Sequence, residues 1–324
     1  MSTDNGLITA YILNGQGSGR KITWQEMLDW SPEQGVLWVH WDINEDPARE
    51  WLSNMSGLDA ATASGFIAGE TRPRTVITKA GILQILRAVN HTVGSEPEDL
   101  VSIRVWIDEH RIISGRRRFI LSEVDISNAL EQGLGPKTPS EFLITLNDRL
   151  TLHLAEVIEE IDEQVDQLET DILTEQSYKL RPLISELRRQ AISIRRYLAP
   201  QREALYRLTM EETALLSHDE RMVMREVTDR VVRYVEDLDS SRDKATIIQE
   251  ELTSRMAEQL NKQMLLLAIV AVIFMPITFL SGLLGVNIKG IPGADSPWAF
   301  PVFCLILLAI SLGTLSAFRY KKWF

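Results

Sequence analysis

The stretch from Met264 to Asn287 reads MLLLAIVAVIFMPITFLSGLLGVN, and from Met264 to Val286 it carries no charged residue. A helix rises about 1.5 Å per residue, so a run of this length can cross a hydrocarbon core of about 30 Å. A second apolar run follows a short polar turn, from about Trp298 to Phe318. The two runs read as a membrane hairpin at the C-terminal end of an otherwise polar chain, with membrane lipid around it. The basic segment Arg319-Tyr320-Lys321-Lys322 belongs on the cytoplasmic side by the positive-inside rule, and Arg255 and Lys262 flank the other cytoplasmic boundary. The loop from Ile288 to Pro297 then faces out, and both termini stay in the cytoplasm. The opening residues, MSTDNGLITAYILNG, have neither a basic start nor a long apolar core, so no signal peptide is expected.

Upstream of the hairpin, from Phe142 onward, the apolar period is about 3.5. Leu154, Ile158, Ile161, Val165, Leu168 and Ile172 form a heptad seam of the coiled-coil kind with an acidic outer face. A second helix is expected to begin at Pro182, a residue favoured in the first turn, with a seam at Ile184, Leu187, Ala191, Ile194 and Leu198. Its surface is basic at Arg188, Arg189, Arg195 and Arg196, so it should pair with the acidic helix before it. Pro200 should kink or end it. Ser217 and Glu220 form a capping box that opens the longest helix. Its apolar positions are Met224, Val227, Val231, Tyr234, Leu238, Ala245, Ile248 and Leu252. From Ser217 to the glycine at 282 only Pro276 interrupts the helical pattern, so one helix of roughly 100 Å should run on into the membrane. A seam that long implies association of several copies.

The first 140 residues alternate strand-like and helix-like pieces. LITAYIL (Leu7 to Leu13), VLWVHW (Val36 to Trp41), GILQILRAV (Gly81 to Val89) and LVSIRVWI (Leu100 to Ile107) are rich in β-branched and aromatic residues. Ile112-Ile113 reads as the return strand of a hairpin. Pro47 to Met55 and Glu123 to Glu131 read as helices. The fold class is therefore α+β: an N-terminal α/β domain with a mixed sheet (1–140), a helical stalk (141–263) and a two-helix transmembrane hairpin (264–324).

The chemistry of the polar part is sparse. The net charge of −11 excludes a generic nucleic-acid binder and favours attraction of cations. One cysteine, Cys304, leaves no intrachain disulfide or cysteine zinc cluster. Gly15-Gln16-Gly17-Ser18-Gly19 lacks both the P-loop lysine and the dinucleotide spacing, and reads as a hairpin turn. His40, His91 and His110 are scattered, and Arg116-Arg117-Arg118 reads as a solvated charge run. Glu70-Thr71-Arg72-Pro73-Arg74 is a compact charged turn able to pin two elements together. No nucleophile, base and metal set converges, so an enzyme is not expected, nor a prosthetic group.

One face of the first membrane helix stands out. Met264, Leu267, Ala271, Met275, Thr278 and Gly282 recur at three- and four-residue steps. Towards Gly285-Val286-Asn287 that face becomes small and polar. It fits a pore lining and equally a tight helix–helix contact. Glu250, Glu251 and Glu258 lie just before the membrane, where rings of them would concentrate cations or simply be solvated.

At this point the chain resembles the CorA superfamily of divalent-cation transporters. The resemblance rests on the long stalk helix, Met275-Pro276, Gly285-Val286-Asn287, the short external loop and the tail Lys321-Lys322-Trp323-Phe324. Val286 stands where magnesium-transporting members usually carry methionine, and the loop IKGIPGADSP has one acid, Asp295, and one lysine, Lys289. Gly-Val-Asn followed by Ile-Pro-Gly is similar to the ZntB branch of zinc transporters of Gram-negative bacteria. Glu70 to Arg74 and Arg195-Arg196-Tyr197 with Ala199-Pro200-Gln201-Arg202 extend that similarity. The resemblance implies a homopentamer in the bacterial inner membrane with a cytoplasmic funnel and one central pore. Five Asn287 amides would bind the water shell of a divalent cation, without any soft ligand. Residue chemistry alone does not select zinc over magnesium, cobalt, nickel or cadmium. Uptake, efflux and proton coupling stay open, since neither span carries a carboxylate. A magnesium or cobalt channel of the same fold is the near alternative. A membrane-anchored coiled-coil scaffold or sensor is the distant one.

Overall fold

A computed structural model describes residues 5–69, 71–172, 177–286, 291, 293 and 296–320. Seven strands form one sheet: β1 (Leu7–Leu13), β2 (Gly19–Lys21), β3 (Val36–Asp42), β4 (Arg74–Ile77), β5 (Ile82–Ala88), β6 (Val101–Ile107) and β7 (Arg111–Arg116), in the order β2-β1-β3-β7-β6-β5-β4. β3 and β7 run parallel, with Trp38 opposite Ile112, and the other neighbours are antiparallel. The mixed sheet is thus as expected. The strands are apolar on both faces because both faces are covered. The glycine-rich stretch is the β1–β2 turn, where Asn14 donates its N–H to the Ser18 carbonyl and Gly15 and Gly17 take positive φ.

One sheet face packs on three short helices, α1 (Trp24–Leu28), α2 (Asp46–Asn54) and α3 (Ala60–Ile67), through Met27, Trp51, Leu52 and Phe66. Trp41 anchors this layer, edge-on to Trp24 at 5.6 Å and tilted against Trp51 at 4.7 Å. The other face packs on α4 (Ser122–Glu131), α5 (Pro139–Asp171), α6 (Ser177–Met210) and the first part of α7 (His218–Leu284). There Trp38 stacks on Tyr11 at 5.6 Å and leans on Phe142 at 4.9 Å, while its indole N–H donates to the Ser114 hydroxyl at 2.8 Å.

The seams of α5 and α6 are buried at every expected position. In α7 the seam holds at Met224, Val227, Val231 and Leu238, but Val235 is buried in place of Tyr234. Tyr234 is half-buried and packs against the edge of the core, where burial raises the pKa of its hydroxyl. Ser217 caps α7 as expected: its hydroxyl accepts the Glu220 N–H at 3.2 Å, and the Glu220 carboxylate accepts the Ser217 N–H at 2.8 Å.

Three expectations are corrected. α6 already contains Ser177, so Pro182 lies inside the helix rather than at its start, and Pro200 does not end it. Each proline costs one helical hydrogen bond, which the packed seam outweighs. α6 does pack against α5 as expected, but opposite charge is not what joins them. Arg195 pairs with Asp239 of α7 at 2.6 Å, and Arg188 donates to Gln249 of α7. The acids of α5 are met by α7 instead, with Lys244 at 2.7 Å from Asp166. α7 thus carries charges of both signs and bridges its two neighbours.

The chain divides into two compact units at Gln249/Glu250. The first holds the sheet and α1 to α6. The second holds α8 (Ala299–Tyr320), and α7 begins in the first unit and ends in the second.

Candidate functional site

In the second unit, two apolar helices are long enough to cross a membrane. Among the described residues, one stripe of each loses solvent: Ile269, Ile273, Pro276, Ile277 and Leu280 in α7, and Phe303, Leu307, Ile310, Thr314 and Phe318 in α8. At about 100° per residue, the stripe of Met264, Leu267, Ala271, Met275, Thr278 and Gly282 lies half a turn away from the covered stripe of α7. All six are exposed in the single chain, Met275 at 71%. The face singled out in the sequence is therefore uncovered, and a Cβ added at Gly282 would meet nothing within 4 Å.

At the end of this face, Gly285 donates its N–H to the Ser281 carbonyl at 2.9 Å. A Cβ at Gly285 would sit 2.8 Å from that carbonyl oxygen, closer than side-chain carbons normally approach, so the position requires glycine. Val286 is exposed. Asn287, Lys289 and Asp295 lie outside the described residues, as do Glu70 and the tail Lys321-Lys322-Trp323-Phe324.

Glu250, Glu251 and Glu258 are exposed. Two of them already have cations one turn on: Glu251 lies 2.6 Å from Arg255, and Glu258 lies 2.9 Å from Lys262. Exposed pairs of this kind contribute little stability, but they cancel charge locally. Among the described residues Glu250 has no such pair.

No group of three or more metal-ligating side chains occurs among the described residues. The histidines do more than the sequence foretold. His40 is fully buried, with Nδ1 2.7 Å from the Ser114 hydroxyl and Nε2 against the Glu123 carboxylate. Arg116 holds the same carboxylate at 2.7 Å, and Arg117 donates to the Ile67 carbonyl. Of the three arginines read as a solvated run, two are therefore structural. His91 and His153 meet edge-on at 5.3 Å, with His153 2.8 Å from Asp125. Sequence separation hid both sets, since a sheet pairing joins the first and a helix docking the second.

The residues 33–321 match the family model described as CorA-like Mg2+ transporter protein. The chain is 36% identical to the divalent cation transporter CmaX of Pseudomonas aeruginosa, over 99% of this chain and 97% of that protein. It is 35% identical to the zinc transport protein ZntB of Pectobacterium carotovorum, over 98% of this chain and 96% of that protein. The solved full-length CmaX superposes with a TM-score of 0.85 at 36% identity, covering 99% of each chain. The CorA magnesium transporter of Methanocaldococcus jannaschii shares the fold, with a TM-score of 0.84 at 16% identity over 98% of this chain and 99% of that one. With the uncovered helix face, the two membrane-length helices and these matches together, the chain belongs to the CorA-like family of divalent-cation transporters.

Proposed function

We propose that this chain is a homopentameric transporter of the bacterial inner membrane that carries zinc, with α7 lining a central pore and both termini in the cytoplasm. The observation that carries the zinc reading is the near full-length similarity to ZntB relatives, supported by the Gly285-Val286-Asn287 sequence. An uncovered, increasingly small and polar helix face fits a shared pore better than a lipid contact, because lipid gives no use for Thr278 or Gly282. Gly285 supports the backbone turn that would present Asn287. A ring of amide oxygens suits a hydrated divalent ion, which is the cargo rather than a resident cofactor. Division of labour near residues 140 and 263, between sheet domain, funnel and pore, belongs to the same reading.

Transport of magnesium or cobalt is the second reading, favoured by the description of the matching family model. Purified protein in liposomes decides between them. Flux of zinc, magnesium and cobalt should be compared with and without a pH gradient. Zinc should move fastest, and magnesium flux exceeding zinc flux in both conditions would overturn the zinc reading.

A further inference from the structure

Two stretches that ion transport leaves unused meet around one cavity in the first unit. The turn before β4 contributes Thr71 and Arg72, β5 contributes Arg87, and α6 contributes Arg196 and Tyr197. The cavity measures about 740 Å3. Its described lining contains three arginines and no acid, in a chain whose net charge is −11.

The arginines are arranged rather than scattered. Two guanidinium groups lie over the Tyr197 ring, Arg87 at 4.4 Å and Arg196 at 4.9 Å from its centre. Arg196 donates to the Tyr197 hydroxyl at 2.9 Å. Arg87 is fixed from three sides. Its backbone N–H donates to the buried Gln201 amide oxygen at 2.7 Å, and its guanidinium donates to the carbonyls of Thr71 at 2.6 Å and Leu100 at 3.3 Å. Arg104, fully buried on neighbouring β6, belongs to the same positive cluster. It donates to the Ala68 carbonyl at 2.7 Å, while its Nε and Nη1 have no hydrogen-bond partner among the described residues. Burial, then Arg117, Arg87 and Arg74, lowers its pKa to about 10. Arg72 and Arg196 are exposed, and neither is ion-paired among the described residues.

Guanidinium groups gathered around one cavity draw an anion towards it. Guanidinium forks match the oxygens of phosphate two at a time, and the volume lies within the usual range for small-molecule sites. A single chloride would leave most of the cavity and most of the donors unused. We propose that this cavity binds a phosphate-bearing anion of at least two phosphates, held by Arg72, Arg87 and Arg196. The phosphate chain of a nucleotide and a free polyphosphate share this chemistry. Because the lining comes from both α6 and the sheet edge, bound anion would clasp the helix to the sheet and stabilise the first unit.

The test uses the full chain in detergent, free of divalent cations. Calorimetric titration with inorganic phosphate, pyrophosphate and ATP should give saturable binding of pyrophosphate and ATP, weakened by salt, with a raised melting temperature. Equal affinity for the two marks a free polyphosphate site, and tighter ATP marks a nucleotide site. The double variant Arg72→Ala/Arg196→Ala should lose affinity by about tenfold or more, and Arg72→Lys/Arg196→Lys by less, since it keeps charge but loses the fork. Should the double alanine variant melt early without ligand, Arg72→Gln on the exposed turn replaces it. Absence of saturable binding of both polyphosphates, or wild-type affinity in these variants, overturns the proposal.

Discussion

Glu123 shows how much a single buried acid can hold. Burial pushes its carboxyl up, but His40 and Arg116 outweigh burial and hold it below the ordinary value of 4.5. Its stabilisation is complete above 4.5, the unfolded-state value, and is lost as pH falls through the lower folded-state value. Glu123→Gln should therefore cost about 3 kcal/mol at neutral pH, because the half-buried Arg116 guanidinium loses its acid and the buried His40 ring loses its carboxylate partner. Below 4.5 the gap should narrow, as pH falls towards the lowered folded-state value. Melting of the full chain in detergent across that range checks both parts, and parallel melting curves for the two proteins would refute them. At the proposed pore mouth, capping and ion reading make opposite predictions for Asn287. Glycine ends helices at least as well, so a pure cap tolerates Asn287→Gly. Under the ion-reading role this variant assembles but loses most zinc flux in liposomes, while Asn287→Asp binds the ion more tightly and releases it more slowly. Wild-type flux in a correctly assembled Asn287→Gly protein would leave the residue as a cap only.

At the scale of elements, the cap of α7 and its acidic collar lend themselves to measurement. Ser217→Ala removes one half of the reciprocal cap and should destabilise the chain by about 1 kcal/mol, read as lower amide protection over the first turns of α7 in hydrogen exchange. Unchanged protection there would mean that packing alone holds the helix start. In the collar, Glu251 and Glu258 are already balanced by Arg255 and Lys262, so Glu250 should do most of the cation steering. Glu250→Gln alone should reproduce most of the low-salt flux defect of the triple glutamine variant, and full flux in the single variant would assign the steering elsewhere. Elements were legible where period and composition agreed. β1 and the seams of α5 and α6 could be read directly, because β-branched runs and heptads are local signals. α3 was not, since Ala-Ala-Thr-Ala-Ser-Gly has no apolar period and is held by Asp59 accepting the N–H groups of Ala61 and Thr62. Pro182 misled because a helix inside a packed layer tolerates what an isolated helix would not.

For the whole molecule, the open question of assembly follows from the uncovered stripe of α7. A homopentamer should appear by native mass spectrometry in detergent, and a stable monomer or dimer would remove the shared pore. The candidate site was legible only as far as the sequence is contiguous. The face from Met264 to Gly282 lies on one helix and could be read from spacing, whereas His40 meets Glu123, and Arg72 and Arg196 come to line one cavity, only through tertiary folding. The aromatic layers of the sheet also give the protein a built-in optical readout. Trp38, Trp41, Trp51 and Trp106 are buried in the first unit, whereas Trp298 beside α8 is exposed. Buried indoles fluoresce at shorter wavelength than hydrated ones, and Tyr11 lies close enough to Trp38 to pass its excitation on. The blue edge of the intrinsic emission should therefore follow unfolding of the sheet, and its loss reports on the first unit with no added label.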